Sequence, residues 1–147
     1  AIFRNKRSIQ EMNNMIDKAL DILKFLQLEK KAWDLATNLS HGEQRRMEIA
    51  RALATEPKLI LLDEPVAGMV FEEVQAFMQT IESIRRKEIT ITLIEHNMSA
   101  VLGISNRVIV LNFGRKIAEG TPNEIKENPA VIEAYLGVTK NLITKQA

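Results

Sequence analysis

The chain has 147 residues, with 20 Lys and Arg, 19 Asp and Glu, two His and no Cys. This length corresponds to one domain or part of one. A net charge of +1 produces no overall electrostatic attraction to nucleic acid or anionic lipid. Any anion-binding site must therefore be local. The absence of cysteine excludes disulfides, thiolate nucleophiles and thiolate metal ligands. The longest apolar runs have four residues, whereas a membrane-spanning helix needs about twenty.

The chain opens with two predicted helices. Apolar residues recur at steps of three or four from Ile9 to Leu28, a spacing that places them on one stripe of an amphipathic helix. Ser40 lies three residues before Glu43, and an apolar pattern of helical period follows it. We therefore expect Ser40 to cap a second helix that ends before Pro57.

Strands alternate with helices in the rest of the chain. The run 59–62 is too short for a helix and lacks polar alternation, so we expect a strand that is buried on both faces. A helix over 70–84 and a β-branched strand over 89–94 follow. The remaining predicted elements are a helix capped by Asn97, a hairpin of strands 107–111 and 116–119, a helix capped by Thr121, and a helix from Asn128 that Gly137 ends. Helices followed by alternating strands and helices indicate a helical piece joined to an α/β core.

Ser40, His41 and Gly42 form a candidate phosphate-binding site. A helix N-terminus presents free backbone N–H groups and the positive end of the helix dipole, a glycine allows an anion to approach closely, and serine adds a hydroxyl. The same spacing is also that of a plain capping box, and the charge of Glu43 would repel a phosphate. Both interpretations stay open on these residues alone.

Asp63 and Glu64 end the first predicted strand, and ligands of open α/β sheets collect at such strand ends. One carboxylate could bind a hydrated Mg²⁺ there while the other activates an attacking water. His96 follows the second strand, and in a parallel pair its imidazole would lie at the same edge as Glu64. The alternatives are a solvated Asp-Glu-Pro turn and a turn histidine without a functional role.

A common phosphate-binding loop is absent from this sequence. The pattern Gly-x-x-x-x-Gly-Lys-Ser/Thr needs two glycines five positions apart with a lysine after the second. None of the six glycines has a partner at that distance. These 147 residues therefore do not hold the β- and γ-phosphates of a nucleotide in that way.

Two motifs together resemble the ATPase subunits of ABC transporters. Residues 39–46, Leu-Ser-His-Gly-Glu-Gln-Arg-Arg, are similar to the family's signature loop, and residues 59–65, which end in Asp-Glu-Pro, are similar to its Walker B strand. His96 matches the switch histidine that follows. Residues 114–122 and 128–137 are most similar to the branched-chain amino-acid import branch of the family. The resemblance covers the whole chain.

The resemblance implies an α/β fold, namely the C-terminal half of an ABC-type P-loop ATPase domain. Residues 1–56 would be part of a helical subdomain with the signature motif, residues 57–120 the C-terminal part of the RecA-like core, and residues 121–147 C-terminal helices and a tail. The Walker A loop, the aromatic that stacks on adenine and the glutamine loop would precede Ala1. The residues after Ala1 read as the interior of a protein, so we expect more chain before it.

The resemblance also implies a role for each candidate residue. Asp63 would bind Mg²⁺ through water, Glu64 would act as general base on the attacking water, and His96 would sense or orient the γ-phosphate. The segment 40–43 would bind the ATP that the opposite subunit holds. ATP and Mg²⁺ are thus the implied cofactors.

The implied partners are a second ATPase subunit and transmembrane permease subunits, with no nucleic acid. The chain would lie in the cytoplasm, attached through the permease to the inner face of the plasma membrane. It would be the ATP-hydrolysing subunit of an ABC importer, present as a fragment that does not hydrolyse ATP by itself.

Four residues depart from the family's usual pattern. His41 replaces a glycine, Glu43 replaces a glutamine, and Asn97 replaces the aspartate after the switch histidine. None of these three differences removes the ATP-hydrolysis chemistry that the resemblance implies. Val70 stands where the loop after Walker B carries an Asp or Asn that contacts the partner subunit, and this implies an altered subunit interface.

Two other functions are compatible with the same motifs. A non-catalytic interaction module could lend its signature helix to a complete ATPase partner. A DNA-repair or chromosome ATPase would share the signature and Walker B segments, but long coiled coils interrupt those proteins. Neither a sustained heptad run nor a large positive net charge is present in this sequence.

Overall fold

A computed structural model describes residues 6–134, and the chain divides into two compact units. One unit ends at Ile94 and the other starts at Glu95. The elements of the first unit are α1 (Lys6–Phe25), α2 (His41–Leu53), β1 (Leu59–Asp63), α3 (Phe71–Arg85) and β2 (Thr90–Ile94), with short 3₁₀ turns at Glu29–Lys31 and Ala36–Asn38. The elements of the second unit are α4 (Met98–Ile104), β3 (Val108–Asn112), β4 (Arg115–Gly120) and α5 (Pro122–Glu127), followed by helical residues 129–134.

The mixture of helices and strands agrees with the predicted α/β class. The two compact units meet at residues 94 and 95 in the sequence. The predicted division at residues 56 and 120 refers to subdomains of a complete ATPase domain and stays a prediction. The predicted end of the last helix at Gly137 lies outside the described residues.

The two strands of the first unit pair in parallel, from Leu59 opposite Thr90 to Asp63 opposite Ile94. The backbone N–H of Glu64 continues this pairing because it donates a hydrogen bond of 2.9 Å to the carbonyl of Ile94. A parallel pair brings the carboxyl ends of both strands to one edge. Asp63 and Glu64 therefore lie at the edge where ligands of α/β sheets bind.

The prediction that β1 is buried on both faces is wrong for the residues that the structure describes. Ile60 is 5% exposed, whereas Leu59 and Leu61 are 50% and 71% exposed. Side chains alternate between the two faces of a sheet, so one face of β1 is covered and the other is not. A continuous apolar run indicates a strand with two covered faces, and residues 6–134 supply the cover of only one.

The first helix ends earlier than predicted, at Phe25 rather than Leu28. Gln27 has a φ of +59°, and this left-handed residue turns the chain so that Leu26 and Leu28 are both fully buried. The beginning of the predicted apolar stripe is more exposed, since Ile9 is 39% exposed. Only the C-terminal end of α1 therefore takes part in the core.

Helix α3 supplies the largest buried face of the first unit. Its buried residues recur at steps of three or four, and they are Val74, Phe77, Met78, Ile81 and Ile84. Ile81 and Ile84 are fully buried. The helix that connects the two parallel strands is thus also the element that holds them to the core.

The second unit is built on the predicted hairpin. Strands β3 and β4 are antiparallel, and the turn residues Phe113 and Gly114 both have positive φ, of 46° and 75°, as a type I′ turn requires. The core of this unit contains Val108, Ala118, Ile125 and Val131. Asn97 and Thr121 cap α4 and α5 as predicted. Among the described helices, none has the length and apolar character to cross a membrane.

Candidate functional site

The N-terminus of α2 is closed by a capping box, as the sequence predicts. The Glu43 backbone N–H donates to the Ser40 hydroxyl at 3.3 Å, and the Ser40 backbone N–H donates to Glu43 Oε2 at 2.8 Å. The next backbone bond of the helix runs from Gln44 N–H to the Ser40 carbonyl at 2.9 Å. A phosphate oxygen would compete with the Glu43 carboxylate for the hydroxyl hydrogen of Ser40.

Gly42 faces the first turn of α3. A Cβ at this position would lie 3.6 Å from Glu73 Oε1, which is ordinary van der Waals contact. An open groove of about 300 Å³ separates the two helix starts. Its lining residues are Ser40, Gly42, Arg46, Met69, Glu72, Glu73, Ala76 and Phe77.

The electrostatics of this end of α2 are mixed. The hydrogen bonds that Glu43 accepts from the Ser40 backbone and makes with the Ser40 side chain lower the pKa of its carboxyl group, and Lys31 and Arg46 lower it further. Glu43 is therefore ionised at neutral pH and stays in the capping box. An arriving phosphate would meet the N–H groups of the helix start and this carboxylate together.

Asp63 and Glu64 are both exposed at the end of β1. Glu64 has a φ of +44°, a conformation in which the chain leaves the strand and enters the turn formed by the Ala67 N–H and the Glu64 carbonyl at 3.2 Å. Pro65 and Val66 are buried and anchor this turn. The two carboxylates thus lie at the start of a turn that buried residues anchor.

Asp63 offers one exposed carboxylate to a magnesium ion. Mg²⁺ in nucleotide sites is held by one or two carboxylates together with phosphate oxygens and water, and it does not need a cage of protein ligands. Asp63 lines an open groove of about 220 Å³ beside Arg45 and Glu48. The described residues contain no group of three or more potential metal ligands, so a protein-only metal centre is not formed by them.

His96 belongs to the second unit, and it is exposed. Its backbone N–H donates to Glu95 Oε2 at 3.3 Å. Asp63 and Glu64 belong to the first unit together with the segment 40–43. The predicted grouping of His96 with Glu64 at one catalytic edge therefore stays a prediction.

Three contacts of this region were not predicted from the sequence. His41 Cε1 lies 3.7 Å from the position that a Cβ on Gly68 would occupy, and Gly68 has a φ of +77°. Glu72 and Glu73 line the groove at the start of α2. Glu73 also accepts a hydrogen bond of 3.2 Å from the Val70 backbone N–H, and the three-residue spacing of that pair is the sequence signal that could have indicated it.

Comparison with known proteins identifies the family. Residues 1–67 match the ABC transporter family model, and residues 115–140 match the model of branched-chain amino acid ATP-binding cassette transporters. The high-affinity branched-chain amino acid transport ATP-binding protein LivG of Salmonella typhimurium is 46% identical over 123 residues, which are 83% of this chain and 48% of that protein. This chain belongs to the ATP-binding subunits of ABC transporters.

Two further relatives are described as branched-chain amino acid transport ATP-binding proteins. LivG of Escherichia coli K12 is 45% identical over 123 residues, or 83% of this chain and 48% of that protein. The high-affinity branched-chain amino acid transport ATP-binding protein BraF of Pseudomonas aeruginosa is 45% identical over 103 residues, or 69% of this chain and 40% of that protein. The chain thus spans about half the length of the curated relatives it matches.

Solved ABC cassettes share the fold. The ADP conformation of an ABC transporter's ATP-binding cassette matches with a TM-score of 0.78 and 35% identity, covering 84% of this chain and 50% of that chain. A nucleotide-free cassette matches with a TM-score of 0.76 and 36% identity, covering 83% and 50%. The predicted family and fold are therefore confirmed, while the roles of the individual site residues stay predictions.

Proposed function

We propose that this chain is the C-terminal half of the ATP-hydrolysing subunit of an ABC importer for branched-chain amino acids. The observation that carries the proposal is that one compact unit holds both a serine-capped helix start at Ser40 and an Asp-Glu pair at the end of a parallel strand. The names of the relatives support the class of transported solute.

Glu64 is the proposed general base. Its carboxylate is exposed at the end of β1, on a turn anchored by buried residues, and it can accept a proton from a water that attacks the γ-phosphate. Asp63 would hold Mg²⁺ through water, and the ion would neutralise charge on the phosphates. His96 would sense or orient the γ-phosphate.

The segment 40–43 is the proposed contact for the ATP of a second ATPase subunit. The Ser40 hydroxyl and the backbone N–H groups at the start of α2 donate to phosphate oxygens, and Gly42 leaves room for their approach. ATP would thus hold two subunits together, and their closing and opening would act on transmembrane permease subunits. The chain would then work at the cytoplasmic face of the plasma membrane.

The test of this function is a complete subunit, made with the natural sequence upstream of Ala1 or with the N-terminal half of the E. coli relative. Glu64→Gln should keep Mg-ATP binding and lower the hydrolysis rate by about 100-fold or more, because the amide cannot take a proton. Glu127→Gln on α5 is the matched control and should hydrolyse ATP at the unaltered rate. If the Glu64→Gln subunit hydrolyses ATP at the full rate, Glu64 is not the general base.

The isolated chain is proposed not to bind ATP tightly, because its sequence lacks the Gly-x-x-x-x-Gly-Lys pattern for the β- and γ-phosphates. Isothermal titration of the chain with Mg-ATP should give no measurable heat of binding. A micromolar affinity of the isolated chain would contradict this proposal.

A second candidate function is a non-catalytic module that lends α2 to a complete ATPase. The capping box at Ser40 favours this candidate function, because both of its hydrogen bonds are formed between Ser40 and Glu43 within this chain. Mixing the chain with a complete ATPase subunit should then stimulate ATP turnover, and Ser40→Arg should abolish the stimulation. Absence of any stimulation would reject this candidate.

A further inference from the structure

Three carboxylates lie around the N-terminal end of α2, where the proposed function places the phosphates of ATP. Glu43 accepts the hydrogen bond of 2.8 Å from the Ser40 backbone N–H. Glu72 and Glu73 line the same groove as Ser40 and Gly42. Phosphate oxygens bound at this end would therefore lie beside negative side chains.

Positive side chains at this end compensate only part of that charge. Arg46 is the cation that lines the groove, together with the carboxylates of Glu72 and Glu73. Lys31 acts on Glu43, but its ammonium group also lies 3.2 Å from the carboxylate of Asp34. Within residues 6–134, three carboxylates thus face the start of α2 against one guanidinium and one shared ammonium group.

We propose that Glu43, Glu72 and Glu73 weaken the binding of the opposite subunit's ATP to the start of α2. This inference rests on the proposed function, because it requires a nucleotide at this end of the helix. Like charges raise the free energy of a bound anion, and between exposed groups this effect is modest and is screened by salt. The three carboxylates therefore set the affinity of the closed dimer and its dependence on ionic strength.

The test measures the Mg-ATP concentration that gives half-maximal hydrolysis by the complete subunit, at low and at high salt. Glu43→Gln keeps the shape of the side chain and an oxygen for the Ser40 N–H, and it removes the charge. It should lower the half-maximal concentration by roughly two- to fivefold at low salt, the effect of removing one exposed like charge, and by less at high salt.

Two further variants make the test independent of helix capping. Glu124→Gln removes the equivalent carboxylate of the capping box in the second unit, where Glu124 Oε2 accepts from the Thr121 backbone N–H at 2.7 Å. It should behave as the unmodified subunit. Glu72→Gln removes a charge from the groove without altering the Ser40 capping box, and it should shift the half-maximal concentration in the same direction as Glu43→Gln.

Each outcome decides the inference. If Glu43→Gln and Glu72→Gln both match the unmodified subunit at low salt, the inference is wrong and the proposed function stands. If Glu124→Gln produces the same shift, the effect comes from helix capping and the inference is again wrong. If the unmodified subunit shows no nucleotide-dependent activity or binding, the proposed function and the inference fall together.

Discussion

At the scale of single residues, two capping boxes of the same type organise the helix starts of this chain. Ser40 with Glu43 and Thr121 with Glu124 each place a glutamate carboxylate on the backbone N–H of the residue that caps the helix. In both cases these hydrogen bonds lower the pKa of the glutamate. The boxes are formed by contacts over three residues, which is why the sequence predicts them correctly.

The lowered pKa values predict how stability depends on pH. A carboxyl group whose pKa is lower in the folded state binds fewer protons there than in the unfolded state. The contribution of such a group to the free energy of unfolding is present above its ordinary pKa of 4.5. This contribution is lost as the pH falls through the lower pKa of the folded state. The free energy of unfolding should therefore fall below about pH 4.5, and Glu43→Gln and Glu124→Gln should each flatten the fall. Urea titrations across this pH range measure the free energy of unfolding. If its slope against pH is unaltered in both variants, the prediction is contradicted.

Two glycines of the second unit offer a matched pair of substitutions. A Cβ at Gly120 would lie 2.7 Å from Glu124 Oε2 and 3.2 Å from Glu124 Cβ, whereas a Cβ at Gly103 would meet nothing within 4 Å. Gly120→Ala should displace the capping glutamate and lower the midpoint of thermal unfolding. Gly103→Ala lies in α4 and should leave stability unchanged or raise it by up to about 1 kcal/mol. Equal midpoints for both variants would argue against the close contact at Gly120.

At the scale of elements, α3 determines the stability of the first unit. It connects the parallel strands and supplies more large buried side chains than any other element of the unit, two of them fully buried. Helices that cross between parallel strands pack on the sheet that they connect, and one face of β1 is covered accordingly. Loss of packing on this helix should therefore affect the whole unit rather than one end of it.

Ile81→Ala tests the contribution of α3. Ile81 is fully buried, so the substitution removes apolar contacts and leaves a cavity, at a cost of about 2–5 kcal/mol in the free energy of unfolding. Gln79→Ala on the exposed face of the same helix is the control and should change the stability by less than about 0.5 kcal/mol. Denaturant unfolding of the two variants separates these outcomes, and similar midpoints would show that α3 is not packed in this way.

At the scale of the whole molecule, the described residues leave three large apolar side chains exposed on one face of the parallel pair. Leu59 and Leu61 on β1 and Ile94 on β2 share this face, and each is at least half exposed. Exposed apolar patches of this kind mark contact surfaces or lead to association. The chain spans about half of its relatives' length.

Dye binding tests the exposure of this face. The isolated chain should enhance the fluorescence of a hydrophobic dye strongly, or form oligomers in gel filtration, because exposed apolar surface favours both. Leu61→Gln should reduce dye binding with little loss of stability, since the side chain is 71% exposed. A cooperative monomer that does not bind the dye would show that the face is covered.

Much of the local structure and the family could be predicted from the residues alone. The caps at Ser40, Asn97 and Thr121 and the turn at Phe113 and Gly114 depend on neighbours within a few positions, so their patterns are visible in the sequence. The end of α1 was predicted three residues too late, because the turn at Gln27 is favoured by the burial of its neighbours and leaves no local signal.

The sequence by itself determined the helix starts, the order of the elements and the motifs that identify the family, because each depends on residues close together along the chain. Only the tertiary structure decided which face of β1 is covered, that β1 and β2 pair in parallel, and that Glu73 lies against Gly42. These features join segments about thirty residues apart, and their free energy comes from packing and pairing between elements that no local pattern encodes.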